Sequence, residues 1–154
     1  MTKICYYDSP IGRIRIFENG KGITMIKFVS DPMIQPTTTE ANTALLKEAV
    51  QQLTDYFAGR RKDFSLPLDL QGTDFQLRTW NALRDIPYGE TRSYKQIAEA
   101  IGCPKGYRAV GLANNRNPVS IVIPCHRVIG TDGSLTGYAG GLDIKERLLA
   151  LEKR

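Results

Sequence analysis

The spacing of apolar residues changes once along this chain of 154 residues, and that change dictates the class of fold. In the first third the period is two. Arg13-Ile14-Arg15-Ile16 alternates polar with apolar, Ile4 to Tyr7 precedes it, and Gly22 to Val29 returns after Asn19-Gly20. Alternation lines one face of a strand, and Asn-Gly tolerates the positive φ of a tight hairpin. A small antiparallel sheet is expected. Residues 30–39 read as a loop. From Thr43 to about Ala58 the period becomes helical, with Leu46, Ala49, Val50, Leu53 and Phe57 three or four apart and Gly59 placed as a stop. Arg60-Arg61-Lys62 then falls where a helix dipole favours cations.

The second half is helical and punctuated. Thr73-x-x-Gln76 and Ser93-x-x-Gln96 both fit the capping box that opens a helix. The first helix runs to about Arg84, with Trp80 and Leu83 as core candidates. The second carries Tyr94, Ile97, Ala98 and Ile101 on one face and ends at Gly102-Cys103-Pro104. A further helix follows from about Lys105 to Asn114, and a last one from about Asp143 to Lys153. Two short helices across a tight turn suggest helix-turn-helix, although any helical hairpin shares the pattern. The fold class is therefore α+β. A sheet-plus-helix domain over residues 1–66 precedes a helical domain over 73–154, with Pro67 and Gly72 in the connection.

Composition narrows the function. Hydrophobic residues make up 42% and charged residues 24%, as in ordinary globular proteins. No apolar run is long enough to span a membrane, and the opening residues lack the apolar core of a signal peptide. A cytoplasmic protein without membrane association is expected. Three cysteines and one histidine, with no C-x-x-C pair, make a structural zinc site a poor fit. Reduced thiols and no metal are expected, with Cys5 and Cys103 structural. The net charge is +5. No acidic residue stands between Glu99 and Asp132, whereas Lys105, Arg108, Arg116 and Arg127 do. That one-signed field fits either a polyanion partner or a solvated basic face. Gly111 and Ala113 add little bulk to the expected exposed side of the second helix of the pair. They would permit close approach either of DNA or of another helix.

The chemistry concentrates near residue 125. Asn117-Pro118 breaks the helix, and Val119 to Ile123 reads as a short buried extended segment. Pro124-Cys125-His126-Arg127 follows. A thiol attacks as thiolate, and an adjacent base or cation promotes that form. On an extended backbone Cys125 and His126 would point apart; a turn at Pro124 would bring them together. A third group must orient the imidazole. Glu152 is a candidate, since it borders an apolar stripe and opposes the helix dipole; a solvated terminal glutamate is the alternative.

Ile123-Pro124-Cys125-His126-Arg127-Val128 resembles the active-site motif of the O(6)-alkylguanine-DNA alkyltransferases, also called methylated-DNA–protein-cysteine methyltransferases. The similarity extends to Ser93-Tyr94, Arg108-Ala-Val-Gly111, Asn117-Pro118, Tyr138-Ala-Gly-Gly-Leu142 and Leu148-Leu-Ala-Leu-Glu152. It covers residues 73–154 in order and spacing, while the N-terminal part matches only in length and strand-then-helix pattern. The resemblance implies a suicide DNA repair protein. Cys125 would accept the alkyl group from guanine O6, His126 would take the thiol proton through a bridging water, Glu152 would hold His126, and Asn117 would brace the turn. Tyr94 would crowd the DNA backbone and hydrogen-bond the flipped base, and Arg108 would fill the gap it leaves. Backbone groups of Cys125 and Val128 would contact the base edge, with Tyr138 also at the base site. Gly111 and Ala113 would suit a helix entering the minor groove of double-stranded DNA. Several members have Ser where this chain has Ala139, which keeps its N–H as a donor towards O6 but lacks the hydroxyl. Members with zinc use ligands absent here, and a non-repairing group has Trp in place of the cysteine. The expectation is a monomer with no cofactor that acts once. The alternatives are a DNA-binding sensor of alkylated guanine that leaves the group in place, and a cysteine hydrolase using Cys125, His126 and Glu152.

Overall fold

The computed structural model describes residues 2–29, 40–138 and 140–153. The chain divides into two compact units, Met1–Leu70 and Gln71–Arg154. The expected loop at 30–39 lies outside the described residues.

In the first unit, β1 (Lys3–Ser9), β2 (Gly12–Glu18) and β3 (Ile23–Phe28) form an antiparallel sheet in the order β1-β2-β3. Alternation on β2 buries Ile14 and Ile16 and turns Arg13 and Arg15 outward. Ile23 and Ile26 are an odd number apart, yet both are fully buried. A bulge explains this, because Phe17 pairs with Met25 while Glu18 pairs with Ile23, which resets the alternation. The hairpin loop is longer than two residues. The Asn19 side chain accepts the Lys21 and Gly22 N–H groups, and Gly20 has φ +89°. Helix α1 (Ala44–Phe57) starts at the Thr43 cap and ends before Gly59 at φ +79°. It buries Leu46, Ala49, Leu53, Tyr56 and Phe57. Each large apolar side chain so buried contributes about 1.5–3 kcal/mol. Arg60, beyond the helix end, pairs with Asp55 at 3.0 Å.

The second unit comprises α2 (Asp74–Arg84), β4 (Arg92–Ser93), α3 (Tyr94–Ala100), α4 (Tyr107–Asn115), a 3-10 turn at Cys125–Arg127, β5 (Val128–Ile129) and α5 (Leu142–Glu152). Both capping boxes form: Thr73 and Gln76 exchange side chain–backbone bonds, as do Ser93 and Gln96. Trp80 on α2 is buried, and its indole N–H donates to the Ala113 carbonyl at 2.9 Å, which ties α2 to α4. Helices α3 and α4 are joined by a turn with Gly102 at φ +79°. Strands β4 and β5 pair in parallel, Arg92 with Val128, and so anchor the residues after Cys125 to the start of α3.

Two expectations about local structure fail. The apolar run Val119 to Ile123 is buried, but it is a tight turn and not an extended segment. The Ile123 N–H donates to the Val119 carbonyl, and Ile121 has φ +74°. A short apolar run does not distinguish a buried strand from a buried turn. Ala113 does not share the exposed side of α4 with Gly111. Val110, Ala113 and Asn114 form its buried face, at helical spacings of three and four.

Candidate active site

Cys125 sits at the start of the 3-10 turn, 4% exposed, with His126 and Arg127 beside it, both buried. Asn117 builds the turn that delivers it. Its Nδ2 donates to the Ile123 carbonyl at 2.7 Å, and its Oδ1 accepts the Val119 N–H at 2.9 Å. These bonds close the loop around Ile121, whose left-handed conformation is costly for a β-branched residue. A second asparagine supports the nucleophile from α4. Asn114 Nδ2 donates to the Cys125 carbonyl at 3.3 Å, and that carbonyl also accepts the Val128 N–H.

A buried carboxylate organises the next layer. Glu152 at the end of α5 is 4% exposed. Its Oε2 lies 2.7 Å from His126 Nε2. Arg127 holds it in a fork, Nε to Oε1 at 2.7 Å and Nη2 to Oε2 at 3.0 Å, while Nη1 donates to the Ile86 carbonyl at 2.7 Å. A carboxylate gripped by a guanidinium is ionised and can only accept. His126 Nε2 therefore carries the hydrogen, and the lone pair is on Nδ1. Nδ1 is buried and has no hydrogen-bond partner among the described residues. Burial lowers the His126 pKa; Glu152 opposes that shift, and Arg127 and Lys145 reinforce it. The ring is thus a neutral base with one available nitrogen.

The sequence reading missed two parts of this layer. Arg127 falls in the basic field of residues 100–131, yet it is buried and paired with Glu152 and does not face a partner. Lys145 carries no role in the sequence reading. It is fully buried, donates from Nζ to the Thr136 carbonyl at 2.7 Å and lies 5.8 Å from the centre of the Tyr94 ring. Burial brings its pKa down to about 8, and the charge that Cys125 can carry pulls the other way. One signal was available. Lys145, Leu148 and Glu152 are three and four residues apart, the spacing of a single helix face, and all three are buried.

Tyr94 and Tyr138 complete the surroundings of the thiol. The Tyr94 hydroxyl donates to the Thr136 carbonyl at 2.8 Å, and burial raises its pKa. Tyr138 is buried, which pushes its phenol well above the usual range, and the charge of Cys125 adds to both shifts. Val128 is fully buried, with its N–H used in the turn. Ala139 lies outside the described residues. Outside this pocket, α4 presents Arg108 on its exposed face, and Gly111 lies against the Tyr94 ring, which a Cβ there would meet at 3.7 Å. A cavity of about 440 Å³ opens between Tyr94, Arg108, Gly111, Thr136 and Gly137. Of the residues expected at the site, His126 and Glu152 are hydrogen-bonded, Cys125 precedes His126 in the 3-10 turn, and Asn117 braces the turn before it; all four are buried. Tyr94, Gly111 and Arg108 rim the cavity, and Ala113 stands apart, packed beneath Trp80.

Comparison with known proteins agrees along the whole chain. Residues 74–154 match the model of the 6-O-methylguanine DNA methyltransferase DNA binding domain, and residues 3–70 match that family's ribonuclease-like domain. A methylated-DNA–protein-cysteine methyltransferase of Methanosarcina barkeri is 55% identical over 153 residues, 96% of this chain and 97% of the relative. One of Mycolicibacterium paratuberculosis is 53% identical over 149 residues, 96% of this chain and 90% of that one. The crystal structure of Mycobacterium tuberculosis OGT in complex with DNA superposes with a TM-score of 0.88 at 48% identity, covering 98% of this chain and 92% of that one. The chain belongs to the 6-O-methylguanine DNA methyltransferase family.

Proposed function

We propose that this protein repairs O6-alkylated guanine in double-stranded DNA by moving the alkyl group to its own Cys125. The observation that carries this reading is the ordered set Cys125, His126, Glu152 and Arg127. It leaves His126 Nδ1 as a buried proton acceptor on the residue that follows the thiol in the 3-10 turn. The thiol proton passes to Nδ1, in this family through a water. The resulting thiolate is favoured by the Lys145 ammonium. It attacks the alkyl carbon, so that a carbon–sulfur bond forms while the carbon–O6 bond breaks. Guanine leaves as an anion and takes up a proton at the Tyr94–Lys145 edge of the site. The product is a thioether, a poor leaving group, and each molecule acts once with no cofactor.

The reactive carbon is out of reach inside a base stack, so the nucleotide must be extruded at a cost of a few kcal/mol. Residues 73–154 carry this work, with α3 and α4 as a helix-turn-helix whose second helix enters the minor groove. Arg108 fills the vacated position. The backbone of Gly111, free of a side chain, allows close approach, and Tyr94, Tyr138, Val128 and Ala139 receive the base. Ala113 serves by packing and not by contact. The protein acts as a monomer in the cytoplasm, where thiols stay reduced.

The test is to mix the protein with duplex DNA containing O6-methylguanine and weigh it. A gain of about 14 Da, one methylene, localised to Cys125 and limited to one equivalent, is expected. Cys5 stays unlabelled, because burial first and then Glu40 raise its pKa to about 11. Tight binding with no mass gain would establish the sensor instead. Repeated turnover of an ester without DNA would establish a hydrolase.

A further inference from the structure

Tyr107 is a large, exposed ring that the reaction described above does not use. It is the first residue of α4 and 46% exposed. Its neighbour Arg108 lies with Cζ 6.0 Å from the ring centre, within the range at which an aromatic quadrupole attracts a guanidinium. Tyr107 and Tyr94 both line the 440 Å³ cavity on the Arg108 side and a second cavity of about 770 Å³, which also has Lys95 and Lys105 on its wall. No carboxylate lines either cavity among the described residues. An aromatic ring on a ridge between two cation-lined hollows is the arrangement that binds a nucleobase by stacking while lysines meet the phosphates.

We propose that Tyr107 is a second anchor for the opened duplex, and that its ring stacks on the base left unpaired when the alkylated guanine is extruded. This rests on the repair reading above. The reasons are position and chemistry. Arg108, which enters the gap, is one residue away at the same helix end, so the ring is carried to the stack with it. The guanidinium lies 6.0 Å from the ring centre, so the two side chains present themselves to the duplex together. An aromatic face is sequence-tolerant, as a repair protein requires, since every base has a π-face. Apolar wedges between base steps are a recurrent device of minor-groove proteins.

The test uses the full chain and a duplex with 2-aminopurine opposite O6-methylguanine. Binding and fluorescence are read in a Cys125→Ser background that cannot transfer. With Tyr107 present, the 2-aminopurine is quenched by stacking. Tyr107→Ala is expected to weaken binding about tenfold and restore emission, whereas Tyr107→Phe keeps both values. In the Cys125 protein, the rate with free O6-benzylguanine stays within about twofold for both variants, because no duplex is opened. The proposal is overturned if Tyr107→Ala matches its parent in affinity and emission. It is also overturned if the loss disappears in an Arg108→Ala background, which would reduce Tyr107 to a prop for the arginine. Failure of the repair reading is separately visible, as absence of mass gain on Cys125 in the unmodified protein.

Discussion

Arg127 and Glu152 form a buried two-point ion pair, with N–O distances of 2.7 and 3.0 Å, and the same carboxylate orients His126. Removing one partner strands the other charge out of water, which costs about 3–5 kcal/mol. Glu152→Ala is therefore expected to lower the thermal midpoint by about 10 °C, at roughly 2–4 °C per kcal/mol for a chain of this size. Alkyl transfer is lost with it. Glu152→Gln keeps an acceptor for His126 but not the charge, so its melt falls between. Calorimetry of the three proteins decides the point; equal midpoints would mean that the pair contributes no net stability.

Asn117 makes two buried hydrogen bonds across the turn that holds Ile121 at φ +74°. Asn117→Ala takes the acceptor from the Val119 N–H, at about 1–3 kcal/mol, and leaves the Ile123 carbonyl with the Cys125 N–H alone. The turn relaxes and Cys125 shifts. The expected result is a less stable protein whose transfer rate falls by at least tenfold while its affinity for unmodified duplex stays within twofold. Stopped transfer assays and a binding titration separate the two effects.

The Lys145 pKa, about 8, lies below the ordinary lysine value of 10.5 because the ammonium is buried. The sign follows from that order. At neutral pH folding must desolvate a charge, and this penalty is relieved as pH rises from about 8 towards 10.5, where the unfolded chain also loses its proton. Lys145→Met removes the penalty. Its melting temperature relative to the native protein should be most favourable at pH 7 and lose that advantage as pH climbs through this window. Cys125 should meanwhile react more slowly with iodoacetamide at pH 7, because a cation that supports the thiolate is gone. A variant with unchanged thiol reactivity would remove Lys145 from the chemistry.

Arg108 is exposed, and so are Lys105 and Arg116, whereas Arg127 is not. Counterion release should make duplex affinity fall as salt rises, with a slope set by the exposed cations. Arg108→Ala should weaken duplex binding more than it slows transfer from free O6-benzylguanine, which needs no extrusion. Equal losses in the two assays would remove the gap-filling role, and a flat salt response would mean that the basic stretch faces only water.

Much of the architecture was legible because it rests on local rules. The Thr73–Gln76 and Ser93–Gln96 capping boxes, the Gly59 stop and the alternation at Ile14 and Ile16 each follow from neighbours a few residues apart. The Cys125-His126 pair and the family motif are also contiguous. The Val119–Ile123 turn was not legible, since its closure depends on the Asn117 side chain and on burial that an apolar run shares with strands. Ala113 lies on the buried face of α4, which its spacing of three from Val110 already encodes.

The amino-acid sequence alone determined where the capped helices and the first three strands lie and the family to which the chain belongs, and it nominated Cys125 as the nucleophile. Tertiary structure decided what each charge does. Arg127 and Arg108 are alike in sequence, each a cation in an acid-free stretch. One is buried on Glu152, 25 residues away along the chain, and the other is left on the surface of α4. Lys145 reads as an ordinary helix lysine until folding buries it beneath Tyr94 and lowers its pKa. Charge is written in the residue, but its free energy depends on the surrounding dielectric and on partners distant in sequence, and only the packed chain supplies those.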